Sequence, residues 1–478
     1  MIIDTGQDVR ERPRADPYGI SAALLDDGIR PLAGFDAWLT GRQRAQRHRI
    51  TRIPFAAMDG WSFEPGTGNL VHHSGRFFSV EGLDVHTDRR WAGHWRQPII
   101  VQPEVGVLGI LVKRFGGVPH LLMQAKMEPG NINGVQLSPT VQATRSNYTG
   151  VHGGRGVPYL NHFLGADRGR VIADVLQSEQ AAWYLHKRNR NMIVEVTGPV
   201  EEHEDFRWLT LGQIRQLLHR DHLVNMDTRT VLACLPAPDG PLGAAPPRDR
   251  FGALVRQSMA GGFHPVTPTA ELLSWLTDVR TRRQLVQRRV PLNDTAGHGW
   301  HRDDDGIAHR DGRYFTVIAV HVEAGNREVR SWSQPLIAPV DQGVVALIVK
   351  PIGGVLHALV QARVDAGAVN VAELAATVHC QPGNYRDVPA EARPAYLDEV
   401  LTSDPARIRY DVVHTEEGGR FYHARNRYLV VEAGPDFDGT PGDHHRWVSL
   451  RQLSRLARHY NYLNVELRSL LAGVHTLQ

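Results

Sequence analysis

Residues 106–148 read GVLGILVKRFGGVPHLLMQAKMEPGNINGVQLSPTVQATRSNY, and residues 343–385 read GVVALIVKPIGGVLHALVQARVDAGAVNVAELAATVHCQPGNY. Laid over one another without a gap, at an offset of 237 residues, the two stretches share 18 identities in 43 positions. The same offset pairs Trp38 with Trp275, Gly75-Arg76 with Gly312-Arg313, Trp95 with Trp332, and Arg188-Asn189-Arg190 with Arg425-Asn426-Arg427. A period far longer than the roughly 20–50 residues of solenoid repeats marks a duplicated domain. The run PAPDGPLGAAPPRDR at 236–250 is too dense in proline and glycine for a helix or central strand and is the expected linker. It divides the chain into copies over 1–235 and 251–478.

Each copy reads as strands first and helices last, which predicts an α+β fold. Residues 106–112 and 343–349 are short apolar runs, and Gly116-Gly117 and Gly353-Gly354 follow them at hairpin spacing. Thr210 with Gln213, and Ser449 with Gln452, have capping-box spacing ahead of apolar helical positions. From His120 to Glu128 the alternation sets Leu121, Met123 and Ala125 on one face and His120, Gln124, Lys126 and Glu128 on the other. Residues 134–144 repeat it, with Gln136, Ser138, Thr140, Gln142 and Thr144 on the polar side. An ordinary solvated sheet face collects long charged side chains; this one is rich in amides and hydroxyls, so the two strands are expected to wall a polar cleft.

The 478 residues suffice for two or three domains, and 42% hydrophobic with 22% charged residues is a globular composition. The N-terminus lacks the basic-then-apolar order of a secretory leader, and no stretch reaches the ~18 apolar residues of a membrane span, so a cytoplasmic protein without a membrane partner is expected. Cys234 and Cys380 alone make neither a disulfide framework nor a CxxC metal site. The net charge of +3 comes with 4 lysines and 50 arginines, scattered among acids without a basic arm, which argues against nucleic acid as a partner.

The polar strands and the loop after them resemble the nucleoside-diphosphate-hexose 2,3-dehydratases of deoxysugar and antibiotic-sugar biosynthesis. The likeness rests on Glu128-Pro129-Gly130-Asn131, on the run Gln136 to Tyr148, and on Ser178-Glu179-Gln180 ahead of Arg188-Asn189-Arg190. It covers nearly the whole chain. The resemblance implies two Nudix-like domains per subunit, a homodimer, and catalysis without a metal. It also implies a substrate, dTDP-4-keto-6-deoxyglucose or a related nucleotide sugar, that loses water across C2 and C3 to give a 3,4-diketo-2,6-dideoxy sugar. Such a product is unstable alone, which makes a downstream 3-ketoreductase the expected partner. The C-terminal copy departs from the pattern, with Asp365-Ala366-Gly367-Ala368 in place of Glu-Pro-Gly-Asn, so its site is expected to be altered or vestigial.

The C4 ketone acidifies the C3 proton, so the reaction needs a base, an acid for the departing hydroxyl and a donor for the enolate oxygen, but no redox cofactor. Glu128, His152 and Tyr148 are candidates for the base, and Lys126 and Arg145 for the enolate donor. Expected substrate contacts are Gln124, Asn131, Gln136, Thr140, Gln142, Ser146 and Asn147, with Lys113, Arg188 and Arg190 for the diphosphate and Trp61 for the thymine. A second nucleotide cleft would use Trp300, Lys350, Arg363, Tyr385, Arg425 and Arg427. Two other readings compete. A Nudix hydrolase needs an Arg-Glu-x-x-Glu-Glu cluster to hold divalent cations, and no stretch supplies it. A non-catalytic nucleotide-sugar-binding module would keep both copies alike, and these have diverged.

Overall fold

The computed structural model describes residues 17–478 apart from 26–27, 89–92, 149–155, 166–167, 237–246, 248, 261, 263, 326–329 and 438. His152 and most of the expected linker lie outside the described residues.

The expected hairpins form. Strands Gly106–Phe115 and Val118–Met127 join through Gly116-Gly117, whose φ angles of +56° and +83° supply the two positive values that a two-residue turn matching the strands' right-handed twist requires. Strands Gly343–Ile352 and Val355–Arg363 repeat the arrangement. Each hairpin is the centre of a seven-stranded mixed sheet. In the first, Arg188–Val196 runs parallel to Gly106–Phe115 and is flanked by Arg170–Ser178, while Phe206–Thr210 lies antiparallel on the other arm. The second has the same order. Leu121, Met123 and Ala125 are fully buried against Ile214, Leu217 and Val231 of the covering helices. Helices Leu211–Leu217 and Leu450–Leu456 start with the predicted capping boxes. No described helix is long and apolar enough to cross a membrane.

A five-stranded antiparallel sheet precedes each mixed sheet, and the halves exchange a strand in building it. His48–Ile53 pairs with Phe315–Ala324 of the second half, and Leu285–Val290 pairs with Ser79–Thr87 of the first. Further contacts between halves are reciprocal. Gly130 N donates to Gly418 O at 2.7 Å and Gly130 O accepts from His423 N at 2.8 Å, as Gly367 N donates to Ala181 O at 2.6 Å and Gly367 O accepts from His186 N at 2.9 Å. Glycine is required at both places: a Cβ on Gly130 would lie 1.8 Å from Phe421 O, and one on Gly367 1.9 Å from Tyr184 O. Two fully buried arginines complete the junction. Arg229 donates to Thr415 O at 2.9 Å and Arg468 to Ser178 O at 2.5 Å, each holding a carbonyl of the opposite half.

Candidate active site

The predicted continuous strand over 134–144 is broken. Pro139 and Thr140 separate Val135–Ser138, which pairs with the Val118–Met127 arm of the hairpin, from Val141–Ala143, which pairs with the Gly106–Phe115 arm. Beyond Leu111 and Leu122 the two arms therefore part, each with its own return strand. Thr140 sits at the crotch of this fork, its hydroxyl accepting from Leu111 N at 2.8 Å and donating to Leu122 O at 2.5 Å. It supplies the bonds that the arms can no longer give each other. Thr377 does the same between Ile348 N and Leu359 O.

The polar side chains meet across this fork. Lys126 Nζ donates to Gln142 O at 3.0 Å, and Gln142 Nε2 donates to Glu128 Oε1 at 2.7 Å. Lys126 and Glu128 form a loose ion pair at 3.9 Å. Asn225, which caps the helix Met226–Leu232, donates to Gln142 Oε1 at 3.2 Å and to Ser138 Oγ at 2.9 Å. Glu128 is 5% exposed, and its Oε2 has no hydrogen-bond partner among the described residues. A buried carboxylate oxygen left without a donor is open to a ligand's hydrogen.

Further buried charges neighbour Glu128, some from the other half. Asp227 is 2% exposed; burial, followed by the neighbouring carboxylates Glu179, Glu128 and Glu417, pushes its pKa well above the usual carboxylate range, against the pull of Lys126. Burial likewise raises Glu179 and Glu417, and lowers Lys187 to about 8. Glu417 belongs to the second half and accepts from Tyr184 OH at 2.7 Å. The loop around Glu417 and Gly418 thus packs against Glu128 and Asn131 of the first half.

Of the expected site residues, Lys126, Glu128 and Gln142 come together, with Gln124 on the same strand face as Lys126. Asn131 turns the adjoining loop through Gly134 O at 3.1 Å, and a Cβ on Gly418 would meet its Oδ1. Arg145, Ser146, Asn147 and Tyr148 form a short helix just after the Val141–Ala143 strand, anchored by Glu104, whose carboxylate accepts from Ser146 N at 2.8 Å.

Other expected contacts are committed elsewhere. The Thr140 hydroxyl is spent at the crotch, and Gln136 exchanges hydrogen bonds with Thr415 Oγ1 at 2.6 and 2.9 Å, tying the halves together. Trp61 and Trp300 are core residues rather than open stacking platforms, their indoles donating to Ser333 O at 2.8 Å and Arg96 O at 3.0 Å. Lys113 is five residues past Leu108, the register partner of Gln142, hence ~17 Å along the strand at about 3.3 Å per residue, beside the Phe115 ring. Lys350 takes the matching place near Phe437 O. Arg190 and Arg427 each form a two-pronged pair with a cross-strand aspartate, Asp174 and Asp411, and Arg188 lies against Tyr460. Their recurrence in both copies follows from holding equivalent edge strands. Arg425 is exposed at the start of its strand, and Tyr385 packs beside the Val344 cluster.

The C-terminal fork keeps the plan with different groups. Arg363 Nε donates to both oxygens of Asp365, at 2.9 and 2.8 Å, and Nη1 donates to His379 O at 2.6 Å, the bond Lys126 makes in the first half. His379 stands for Gln142 and lies 3.8 Å from Glu466, which accepts from Asn464 Nδ2 at 2.6 Å. Burial, then Arg363, lowers His379 to about 3, so the imidazole is neutral.

Sequence reasoning missed Asn225, Asp227 and the contribution of Glu417. A signal existed: shifted by 239 residues, Asn225, Asp227 and Arg229 match Asn464, Glu466 and Arg468. For a metal, Asp84, His86 and His94 place ligand atoms within 4.8 Å of one another, but Arg96 Nε already donates to Asp84 Oδ1 at 2.8 Å, and the group lies on the exchanged-strand sheet rather than in either fork.

A family model described as NDP-hexose 2,3-dehydratase matches residues 32–235 and again 269–474. Among curated proteins, the chain is 50% identical over 459 residues to a dTDP-4-dehydro-6-deoxy-alpha-D-glucopyranose 2,3-dehydratase of Saccharopolyspora spinosa, covering 96% of this chain and 94% of that one. It is 50% identical to a protein of the same name from Amycolatopsis orientalis (97% and 95% covered) and 51% identical to one from Streptomyces violaceoruber (94% and 98%). With both halves matched by one family model and relatives at this identity along their whole length, the chain belongs to the NDP-hexose 2,3-dehydratase family.

Proposed function

We propose that this protein removes water across C2 and C3 of dTDP-4-keto-6-deoxyglucose, giving the 3,4-diketo-2,6-dideoxy nucleotide sugar, and that the reaction takes place in the N-terminal fork. Glu128 carries the reading. Its buried Oε2, without a partner among the described residues, offers a base, and Lys126, 3.9 Å from the other oxygen, is a cation that can meet the enolate oxygen. The names of the relatives supply the substrate. The same reading takes each half as a Nudix-like domain, the protein as a cytoplasmic homodimer in antibiotic-sugar biosynthesis, and a 3-ketoreductase as the enzyme that traps the product.

The test incubates pure protein with dTDP-4-keto-6-deoxyglucose, a 3-ketoreductase and its nicotinamide cofactor. A 2,6-dideoxy nucleotide sugar is expected, at a rate unchanged by prior chelator treatment. Saturable binding without conversion would favour the binding-module reading instead. A tenfold loss restored by magnesium or zinc would overturn the metal-independent mechanism.

A further inference from the structure

The base accounts for half of the proton traffic; the departing hydroxyl also needs a proton. In the N-terminal fork Asp227 is the second buried carboxyl group with an oxygen, Oδ1, that has no partner among the described residues. The helix that carries it reaches Glu128 through side chains other than its own. Asn225, two residues before it, donates to Gln142 Oε1, and Gln142 donates from its other end to Glu128 Oε1. The duplicate shows where this helix position points. Glu466, the counterpart of Asp227, lies 3.8 Å from His379, the counterpart of Gln142.

We propose that Asp227 and Glu128 divide the proton traffic, Glu128 as the base at C3 and Asp227 as the acid that converts the departing C2 hydroxyl to water. The proposal rests on the dehydratase reading above and adds to it the identity of the acid. Burial first, and then the charges of Glu179, Glu128 and Glu417, hold the proton on Asp227 against the pull of Lys126.

The steps balance. Glu128 takes the proton from C3, and the electron pair of that C–H bond passes into the enolate of the C4 ketone. The enolate then forms the C2–C3 double bond as the C2–O bond breaks, and the oxygen leaves with the proton of Asp227 as water. In the second stage Glu128 returns its proton to C2, using the electron pair of the double bond, while the C3 enol hydroxyl gives its proton to the Asp227 carboxylate and becomes the ketone. One water has been lost, and both groups are back in their starting states.

The experiment follows C3 hydrogen exchange and turnover separately, with dTDP-4-keto-6-deoxyglucose in deuterated water and the coupled reductase present or absent. Asp227→Asn should lower turnover by about 10²-fold or more, the scale of losing a general acid, while recovered substrate still gains deuterium at C3 because Glu128 is intact. Turnover within a few-fold of wild type would overturn the proposal. So would loss of exchange together with turnover in a folded variant, which would make Asp227 a positioning residue for Glu128. Should Asp227→Asn fail to fold, Asp227→Ser with added formate decides the matter: restored turnover supports an acid at this place, and its absence overturns it. Glu128→Gln separates the two levels of the argument. It should lower exchange and turnover alike by about 10²-fold or more, and if it leaves both intact the location of the active site is wrong, whatever Asp227 does.

Discussion

In the N-terminal fork the carboxylate is Glu128, held on one oxygen by an amide at 2.7 Å with its lysine no closer than 3.9 Å. In the C-terminal fork it is Asp365, gripped by both oxygens on the Arg363 guanidinium at 2.8 and 2.9 Å. Everything that shapes the two forks is shared: the glycine turn, the threonine at the crotch, the capping asparagine and the buried arginine below it. What differs is whether the carboxylate is satisfied. A two-pronged arginine pair is a strong, geometrically fixed contact that removes a carboxylate from proton transfer, whereas a loose lysine leaves one oxygen available. The duplicate therefore shows what the fold needs, and the departures from it show what the chemistry needs.

The largest expected effect tests that contrast directly. Glu128→Gln should lower kcat by roughly 10²-fold or more, the scale of losing an acid–base group, while Asp365→Asn should leave kcat within a few-fold of wild type. Lys126→Arg sharpens the comparison by importing the second-half clamp, and a fall in kcat with KM nearly unchanged is expected. If Asp365→Asn is the damaging variant, the chemistry lies in the other fork.

Features shared by the halves should respond alike. Gly130→Ala and Gly367→Ala each place a methyl group under 2 Å from a carbonyl oxygen of the opposite half and disturb two backbone hydrogen bonds there. Each should destabilise the protein by about 3 kcal/mol, at the upper end of overpacking costs, read as matching falls in Tm. Unequal shifts would mean that the junction is less reciprocal than its contacts.

The duplication, the hairpins and the capping boxes were legible in sequence because each rests on neighbours in the chain: a glycine pair, a Thr-x-x-Gln, an alternation of apolar residues. The fork was not. Alternation of side chains across 134–144 is unbroken in sequence, and although Pro139 is a local break in the ladder, it does not say that Thr140 will bridge two arms. The exchange of His48–Ile53 for Leu285–Val290 was hidden for the same reason, since either copy of the strand carries a nearly equivalent pattern. At the site, Lys126, Glu128 and Gln142 could be read from the polar faces of two stretches close in sequence, but Asp227 and Glu417 arrive from about 100 and 290 residues away, through tertiary packing alone. Recurrent cations misled: Arg190 and Arg427 recur because an aspartate faces each across an edge strand.

The smallest expected effect concerns the two tryptophans. From sequence, Trp61 and Trp300 are candidates to stack on thymine; in the structure each indole is buried and donates to a backbone carbonyl of the opposite half, Trp61 to Ser333 and Trp300 to Arg96. Replacing either by phenylalanine keeps an aromatic ring in the core but removes the N–H, leaving a carbonyl without its donor, at a cost of about 1–2 kcal/mol. Both variants should therefore melt a few degrees lower, by similar amounts, because the two bonds are counterparts. A stacking role would give a different pattern, since phenylalanine covers less of a pyrimidine face: KM for the nucleotide sugar would rise in one variant, with Tm unmoved. Matching losses of stability with unchanged KM would place both indoles among the features that hold the halves together, alongside Gly130 and Gly367 and apart from the divergent groups of the forks.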